Sequence, residues 1–329
     1  MSRRIPVASR HPPFPLPKSP AGFARKSGPF LAPFAATALS MKLLARNRLI
    51  EFPRRPLVMG IVNLCVDSFS GDGLSNVEDA LTRARQMVAD GADIIDIGGE
   101  SAGTKRAAMS EQSEIDALLP FVERFAHEAA SWPRLDAEQV HPPLLSINTW
   151  RPRVARAVLS AGGDLLNDIG ALPTDENARL CAETGAALLI MHSVGEPKIP
   201  HTHIRYDTGI MPTLHRFFAE KIAMAEAAGV PRDAILLDPG IDFAKQRDDN
   251  LVIYRELAQL HTFQRPILLP ISRKTVIGEV LNLPPAERDA GTIACLIRGL
   301  QLGAHIFRVH NVPAAIQAIK IASAVASAP

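Results

Sequence analysis

From residue 57 onward the chain alternates between two hydrophobic periods. Short, almost wholly apolar runs rich in Val, Ile and Leu end in polar or glycine residues, and each is followed by a longer stretch of helical period. The pattern predicts strands at 57–62, 93–97, 144–147, 164–166, 187–191, 234–237, 266–270 and 305–309. It predicts helices around 77–90, 111–130, 152–161, 175–184, 211–228, 250–260, 288–302 and 313–326. Strands apolar on both faces belong to a parallel sheet with helices outside it. Eight βα units in this length predict a (β/α)₈ TIM barrel, and no G-x-G-x-x-G opening favours an open doubly wound sheet instead.

Helix signals agree with that reading. Ser110 stands where it can cap a helix beginning at Glu111, and Pro152 and Pro313 sit at first turns, where a missing N–H costs nothing. The pairs Gly91-Ala92, Gly185-Ala186 and Gly303-Ala304 close three helices ahead of the next strand. The one long interruption, 131–143, reads as a loop at the entrance to the third strand, so 41–329 is expected to be one domain.

Residues 1–40 differ in character. They hold eight prolines, six Lys or Arg and no acid, which disfavours helix and sheet. We expect this extension to be disordered or absent from the mature protein. A translation start at Met41, an organelle transit peptide and, least favoured, a secretory signal are the readings open. No segment reaches 18 uninterrupted apolar residues, so no membrane span is expected.

Composition narrows the function classes. The chain has 329 residues, 47% hydrophobic and 21% charged, with a formal net charge of +2. Without the basic extension the body carries 30 basic and 34 acidic groups. A mildly acidic body with 5% aromatic residues offers neither the charge nor the stacking platform that nucleic-acid binding needs. Three scattered cysteines form neither a disulfide framework nor a zinc knuckle, which points to a reducing compartment and a cytoplasmic protein, or an organellar one if residues 1–40 are a transit peptide.

Barrel enzymes carry their chemistry at the C-terminal ends of the strands. Here those ends read Asn63, Glu100-Ser101, Asn148, Asn167-Asp168, His192, Asp238, Ser272-Arg273-Lys274, and Arg308 with His310. Arg308 and His310 share one strand face and suit an anion, Lys274 and Arg273 add positive charge, and Asn63 is expected to complete an anion or metal–anion site from across the barrel. Asp238 and the amides of Asn148 and Asn167 suit the N–H edge of a heterocycle. His192 has no His or Cys partner at ligand spacing and reads as a hydrogen-bonded wall residue. His201 and His203 read as exposed loop residues, and Gly98-Gly99 as a low-specificity phosphate cradle.

These residues resemble those of the dihydropteroate synthases, the pterin-binding (β/α)₈ family. The matches are Met59-Gly60-Ile61-Val62-Asn63 with Asp67-Ser68-Phe69-Ser70, the run from Asp93 to Ser101, Asn167-Asp168-Ile169, Met191-His192, Asp238-Pro239-Gly240, Ser272-Arg273-Lys274 and Arg308-Val309-His310. They occur in order over 57–325, each at a strand end. The resemblance implies a transferase that condenses p-aminobenzoate with 6-hydroxymethyl-7,8-dihydropterin diphosphate, releasing pyrophosphate with Mg²⁺ present. It further implies catalytic roles for Lys274, Arg308 and His310. Asn63, Arg308 and His310 would hold the diphosphate, with Asn63 on the metal. Asn148, Asn167, Asp238 and Lys274 would hold the pterin, and Ser272 would lie near p-aminobenzoate. A homodimer is the family expectation.

The chain departs from the family pattern at Cys65-Val66 (for Thr-Pro), at Ala102-Gly103 (for Thr-Arg), at Asn148 (for Asp), at Asp242 (for Gly) and at Asn311 (for Asp). A synthase using a different amine, and a non-catalytic pterin-binding paralogue, are therefore the alternative expectations.

Overall fold

The computed structural model describes residues 40–64, 74, 76–100, 109–195, 197–199, 201 and 204–328. The expectations for the N-terminal extension up to residue 39, for Cys65-Val66 and the Asp67–Ser70 motif, for Ser101 and Ala102-Gly103, and for His203 lie outside the described residues.

Each predicted strand is present within one or two residues of its expected bounds: β3 Leu57–Asn63, β4 Ile94–Gly98, β5 Leu144–Asn148, β6 Leu165–Asp168, β7 Ala187–Met191, β8 Ile235–Asp238, β9 Leu268–Pro270 and β10 Ile306–Val309. They pair in parallel in the order β8-β7-β6-β5-β4-β3-β10-β9. A parallel bridge between Leu237 and Ile267 joins the two ends and closes the barrel. The eight predicted helices surround it as α1 Val77–Ala89, α2 Glu111–Glu128, α3 Pro152–Ala161, α4 Glu176–Thr184, α5 Ile210–Ala227, α6 Arg247–Glu256, α8 Asp289–Gln301 and α9 Val312–Ala326. Ser110 caps α2 by accepting from the Ser113 N–H, and Gly185 ends α4 in the left-handed conformation.

Three elements were not anticipated. A helix, α7 (Thr275–Leu281), follows β9, and an antiparallel hairpin, β1 (Met41–Ala45) with β2 (Arg48–Phe52), precedes the barrel. The hairpin buries Met41, Leu43, Ala45, Ile50 and Phe52 against Leu57, Ile94, Leu144, Leu165, Ala187 and Ile306. It thereby stoppers the N-terminal end of the barrel. Arg48 of the hairpin pairs with Asp164 at 2.8 Å, and Arg55 with Asp93 at 2.9 Å.

Side chains alternate between the two faces of a strand, so each contributes one column of residues to the barrel interior. The column is apolar at the strand's start and polar at its end: Leu57, Met59, Ile61, Asn63 in β3, and Ile94, Asp96, Gly98 in β4. It runs Leu144, Ser146, Asn148 in β5, Leu236, Asp238 in β8 and Ile306, Arg308 in β10. The opposite columns, including Val58, Ile95, Leu145 and Phe307, join the larger core beneath the helices. The apolar half of the interior secures the fold, and the polar half forms the floor and walls of a site. Among the described residues no helix is long and apolar enough to cross a membrane.

Candidate active site

A cavity of about 540 Å³ opens at the C-terminal ends of the strands. Asn63, Asn148, Asn167, Asp238, Ser272, Lys274, Arg308 and His310 all line it. The strand register explains why. Asn63 pairs with Gly98, Gly98 with Asn148 and Asn148 with Asn167, so these four positions form one arc of the mouth. Asn63 lies beside β10 rather than across the barrel from it, because β3 and β10 are hydrogen-bonded neighbours.

At the floor stands a residue that strand-end reading passed over. Asp96 is fully buried, and its carboxylate accepts from the Ser146 hydroxyl at 2.5 Å, from Arg308 Nε at 2.7 Å and from Asn167 Nδ2 at 3.2 Å. It orients the Arg308 guanidinium and fixes the Asn167 amide. With that amide nitrogen occupied, Asn167 Oδ1 is buried with no partner among the described residues, and so is Asn148 Oδ1. Two unsatisfied carbonyl oxygens in a cavity wall are acceptors suited to a ligand carrying N–H donors.

Asp238 faces the same space. It is 3% exposed, and its Oδ1 accepts from the Gly240 N–H at 2.7 Å. Burial pushes its pKa up to about 6, against the pull of that N–H and of the charges on Lys274, Lys245 and Arg308. Gly240 has φ +70°, and a Cβ there would collide with the His192 carbonyl, so the turn after β8 requires glycine.

The Lys274 ammonium donates to the Ile241 carbonyl at 2.8 Å and lies over the Phe243 ring at 5.1 Å. Burial lowers its pKa, opposed by Asp242 and Asp238. On β10's side, Ser272 Oγ lies 2.7 Å from His310 Nδ1, which ties the expected second-substrate position to the histidine expected to bind the anion. Arg273 is positioned at the cavity edge, but its Nε donates to Asp289 at 2.8 Å, so its charge is largely compensated.

Other strand-end residues serve the frame. Asp168 is one residue out of the inward column, and its carboxylate accepts from the Gly170 N–H and from Asn177 of α4. His192, also out of the column, is 2% exposed with Nδ1 2.9 Å from Lys245 Nζ. It is hydrogen-bonded as expected, but it lies behind the cavity rather than on its wall. Lys245, unforeseen, also donates to the His192 and Phe243 carbonyls, and burial draws its pKa down to about 7. His201 is half-buried and lines the cavity, contrary to the expectation of an exposed loop residue. Gly98 lines the cavity, whereas a Cβ on Gly99 would press on Glu114 and Leu118 of α2, so the second glycine serves packing. Glu100 pairs with Arg151 at 2.8 Å and with Lys198 at 3.0 Å, tying the turn after β4 to the loop after β7. Of the departures from the family pattern, Asn311 caps α9 by accepting from the Ala314 N–H.

Among the described residues no group of three or more His, Cys, Asp and Glu comes together as a metal cage. A Mg²⁺ carried on a phosphorylated ligand takes most of its oxygens from phosphate and water and needs only one or two from protein. The neutral amide of Asn63 on the cavity wall is a donor of that kind.

The arrangement therefore combines acceptors for an N–H edge with cations for an anion, the two joined through Asp96, which bonds both Asn167 and Arg308. Comparison with known proteins agrees with it. Residues 59–310 match the family described as pterin binding enzyme. The dihydropteroate synthase of Escherichia coli K12 is 36% identical over 289 residues, covering 88% of this chain and 98% of that one. A crystal structure of the Yersinia pestis dihydropteroate synthase in complex with a sulfonamide drug superposes with a TM-score of 0.78 at 36% identity, over 88% of this chain and 100% of the other. The Xanthomonas albilineans dihydropteroate synthase with 4-aminobenzoic acid superposes with a TM-score of 0.76 at 31% identity, again over 88% and 100%.

Proposed function

The chain belongs to the pterin-binding enzyme family, and from that membership we propose that it works as a dihydropteroate synthase. It is a transferase of folate biosynthesis that joins the amino group of p-aminobenzoate to the methylene of 6-hydroxymethyl-7,8-dihydropterin diphosphate. The amine nitrogen attacks the methylene carbon, the carbon–oxygen bond breaks, its electron pair leaves on pyrophosphate, and the nitrogen sheds a proton. The observation that supports the assignment of residues is the floor centred on Asp96, which fixes Arg308 and leaves Asn167 Oδ1 without a partner, an arrangement suited to an anion beside a heterocycle.

In this reading Asn148, Asn167 and Asp238 accept from the pterin's N–H groups, and the Lys274 ammonium donates to it. Arg308 and His310 gather the diphosphate and stabilise the charge that grows on it as the bond breaks. Ser272 stands on the cavity wall where p-aminobenzoate would approach, and Phe243 lines the same cavity. The arylamine is already a free nucleophile, so no strong general base is required. Mg²⁺ would be held by Asn63 together with the diphosphate and would neutralise phosphate charge.

Both substrates are small molecules. A second copy of the chain is the expected partner, and the exposed Ile321 and Val325, one turn apart on α9, support an association through outer helices. The free thiols of Cys181 and Cys295 support a reducing environment and with it a cytoplasmic location.

The test is pyrophosphate release by the full chain from the pterin diphosphate with Mg²⁺, with and without p-aminobenzoate. Release that requires p-aminobenzoate, together with recovery of dihydropteroate, is expected. Release that requires a different arylamine would transfer the reading to a synthase of altered nucleophile. Tight pterin binding with no release under any amine would make the chain a binder and overturn it.

A further inference from the structure

Asp242 occupies a position where the family pattern has glycine, and it adopts a conformation that suits glycine, with φ +69°. The structure shows what the carboxylate does there. Helix α7 begins at Thr275 without a side-chain cap from its own neighbours, Lys274 being the flanking residue. Asp242 accepts from the Thr275 N–H at 2.5 Å and from the Val276 N–H at 3.2 Å. A reciprocal pair holds it in place: its own N–H donates to Asn250 Oδ1 at 2.9 Å, and Asn250 Nδ2 donates to its carboxylate at 3.2 Å. Asn250 is itself 2% exposed, so the anchor is rigid.

The residue between these contacts is Lys274. Its ammonium bonds the carbonyl of Ile241, the residue immediately before Asp242, and lies over Phe243, the residue immediately after. The loop from β8 and the start of α7 are thus joined twice, once through Lys274 and once through Asp242.

We propose that Asp242 is a positioning residue for the synthase reaction, clamping the β8–α6 loop to the first turn of α7 so that Lys274, which bonds that same loop, is held at the cavity with a carboxylate anchored next to its own binding point. This inference rests on the function proposed above for Lys274 and adds a residue to it. The charged groups acting on Lys274 are Asp242 from the loop, Asp238 from β8 and Arg308 from β10, and Lys274 in turn acts on Lys245 at the loop's end. Asp242 also acts on Tyr254 of α6 and Cys295 of α8, whose pKa values burial raises. Removing the Asp242 charge removes a contribution that favours the ammonium, so the Lys274 pKa falls.

The test compares wild type with Asp242→Asn, which keeps an acceptor oxygen but not the charge, and with Asp242→Gly, which removes both. Lys274 is titrated in the full chain by competitive acetylation with acetic anhydride from pH 7 to 11, read by mass spectrometry, and the pH profile of kcat/KM for the pterin diphosphate is recorded alongside. In Asp242→Asn the labelling midpoint is expected to fall by about one pH unit, a tenfold change in the protonation equilibrium. The alkaline limb of kcat/KM is expected to move the same way, with the KM for p-aminobenzoate little changed. Asp242→Gly is expected to show the same shift and a lower thermal midpoint. A labelling midpoint or an alkaline limb that coincides with wild type in Asp242→Asn overturns the proposal and leaves Asp242 a purely structural cap. The labelling needs no substrate, so a wild type that releases no pyrophosphate counts against the proposed function, whereas coincident midpoints count against Asp242.

Discussion

The carboxylate of Asp96 and the guanidinium of Arg308 meet at 2.7 Å on the floor of the barrel, 212 residues apart in the chain. The pair joins strands β4 and β10, on either side of β3, and its carboxylate also bonds Ser146 and Asn167. It links the cationic side of the cavity to the amide side. Asp96 is wholly buried whereas the Arg308 side chain is 21% exposed, so the acid is the fixed member and the arginine the one that reaches into the cavity.

Asp96→Asn weakens this hub without emptying it. Loss of a charge-assisted bond in a buried site is expected to cost about 1–3 kcal/mol in urea denaturation. With Arg308 no longer aimed, the KM for the pterin diphosphate is expected to rise while that for p-aminobenzoate stays near wild type.

Arg308→Ala and His310→Ala separate anion stabilisation from folding. Each is expected to lower kcat for pyrophosphate release by about 100-fold, since in the proposed reading Arg308 is a cation and His310 a hydrogen-bonding group that face the leaving group. Arg308→Ala also leaves Asp96 buried without its counter-charge and is expected to melt lower. His310→Ala is expected to melt close to wild type. Thermal unfolding beside steady-state kinetics distinguishes the two.

Asn148→Asp restores the carboxylate of the family pattern at a position whose carbonyl oxygen is buried and unpartnered among the described residues. A charge-assisted bond to a pterin N–H is roughly twice as strong as a neutral one. The KM for the pterin diphosphate is therefore expected to fall by about three- to tenfold. A rise in kcat of several orders of magnitude would instead show that wild type is mainly a binder.

Asp238 sets the acid limb. Its pKa lies near 6 because of burial, so kcat/KM for the pterin diphosphate is expected to drop as pH falls through about 6, and Asp238→Asn is expected to flatten that limb. Stability runs the other way. A folded pKa raised above the unfolded value favours the protonated folded state, so this group's stabilisation is full below about pH 4 and is lost as pH rises through 6. Denaturation midpoints between pH 4 and 7 are expected to show a shallower decline in Asp238→Asn than in wild type.

The eight βα units, their bounds and the polar character of every strand end were legible in the sequence. Those features follow from local alternation and helical period, which a chain expresses before it folds. Asn63, Asn148, Asn167, Asp238, Ser272, Lys274, Arg308 and His310 all reach one cavity because the C-terminal ends of parallel strands meet at one mouth of a barrel. The hairpin Met41–Phe52 carried an alternating pattern of its own, but its proximity to a Pro-rich extension obscured it.

What only the tertiary structure decided is which strand-end residues face inward and what they touch. The inward column includes Asp96, two residues before the β4 end, and excludes Asp168 and His192, which stand at strand ends but are turned toward the helices. Neighbours in sequence thus point to opposite faces, and the choice between faces depends on how the strands are staggered against one another as the ring closes. Strand composition does not encode that stagger locally. The Asp96–Arg308 bond and the Asp242 clamp on α7 exist only once segments far apart in the chain have been brought to hydrogen-bonding distance, so no spacing along the sequence announces them.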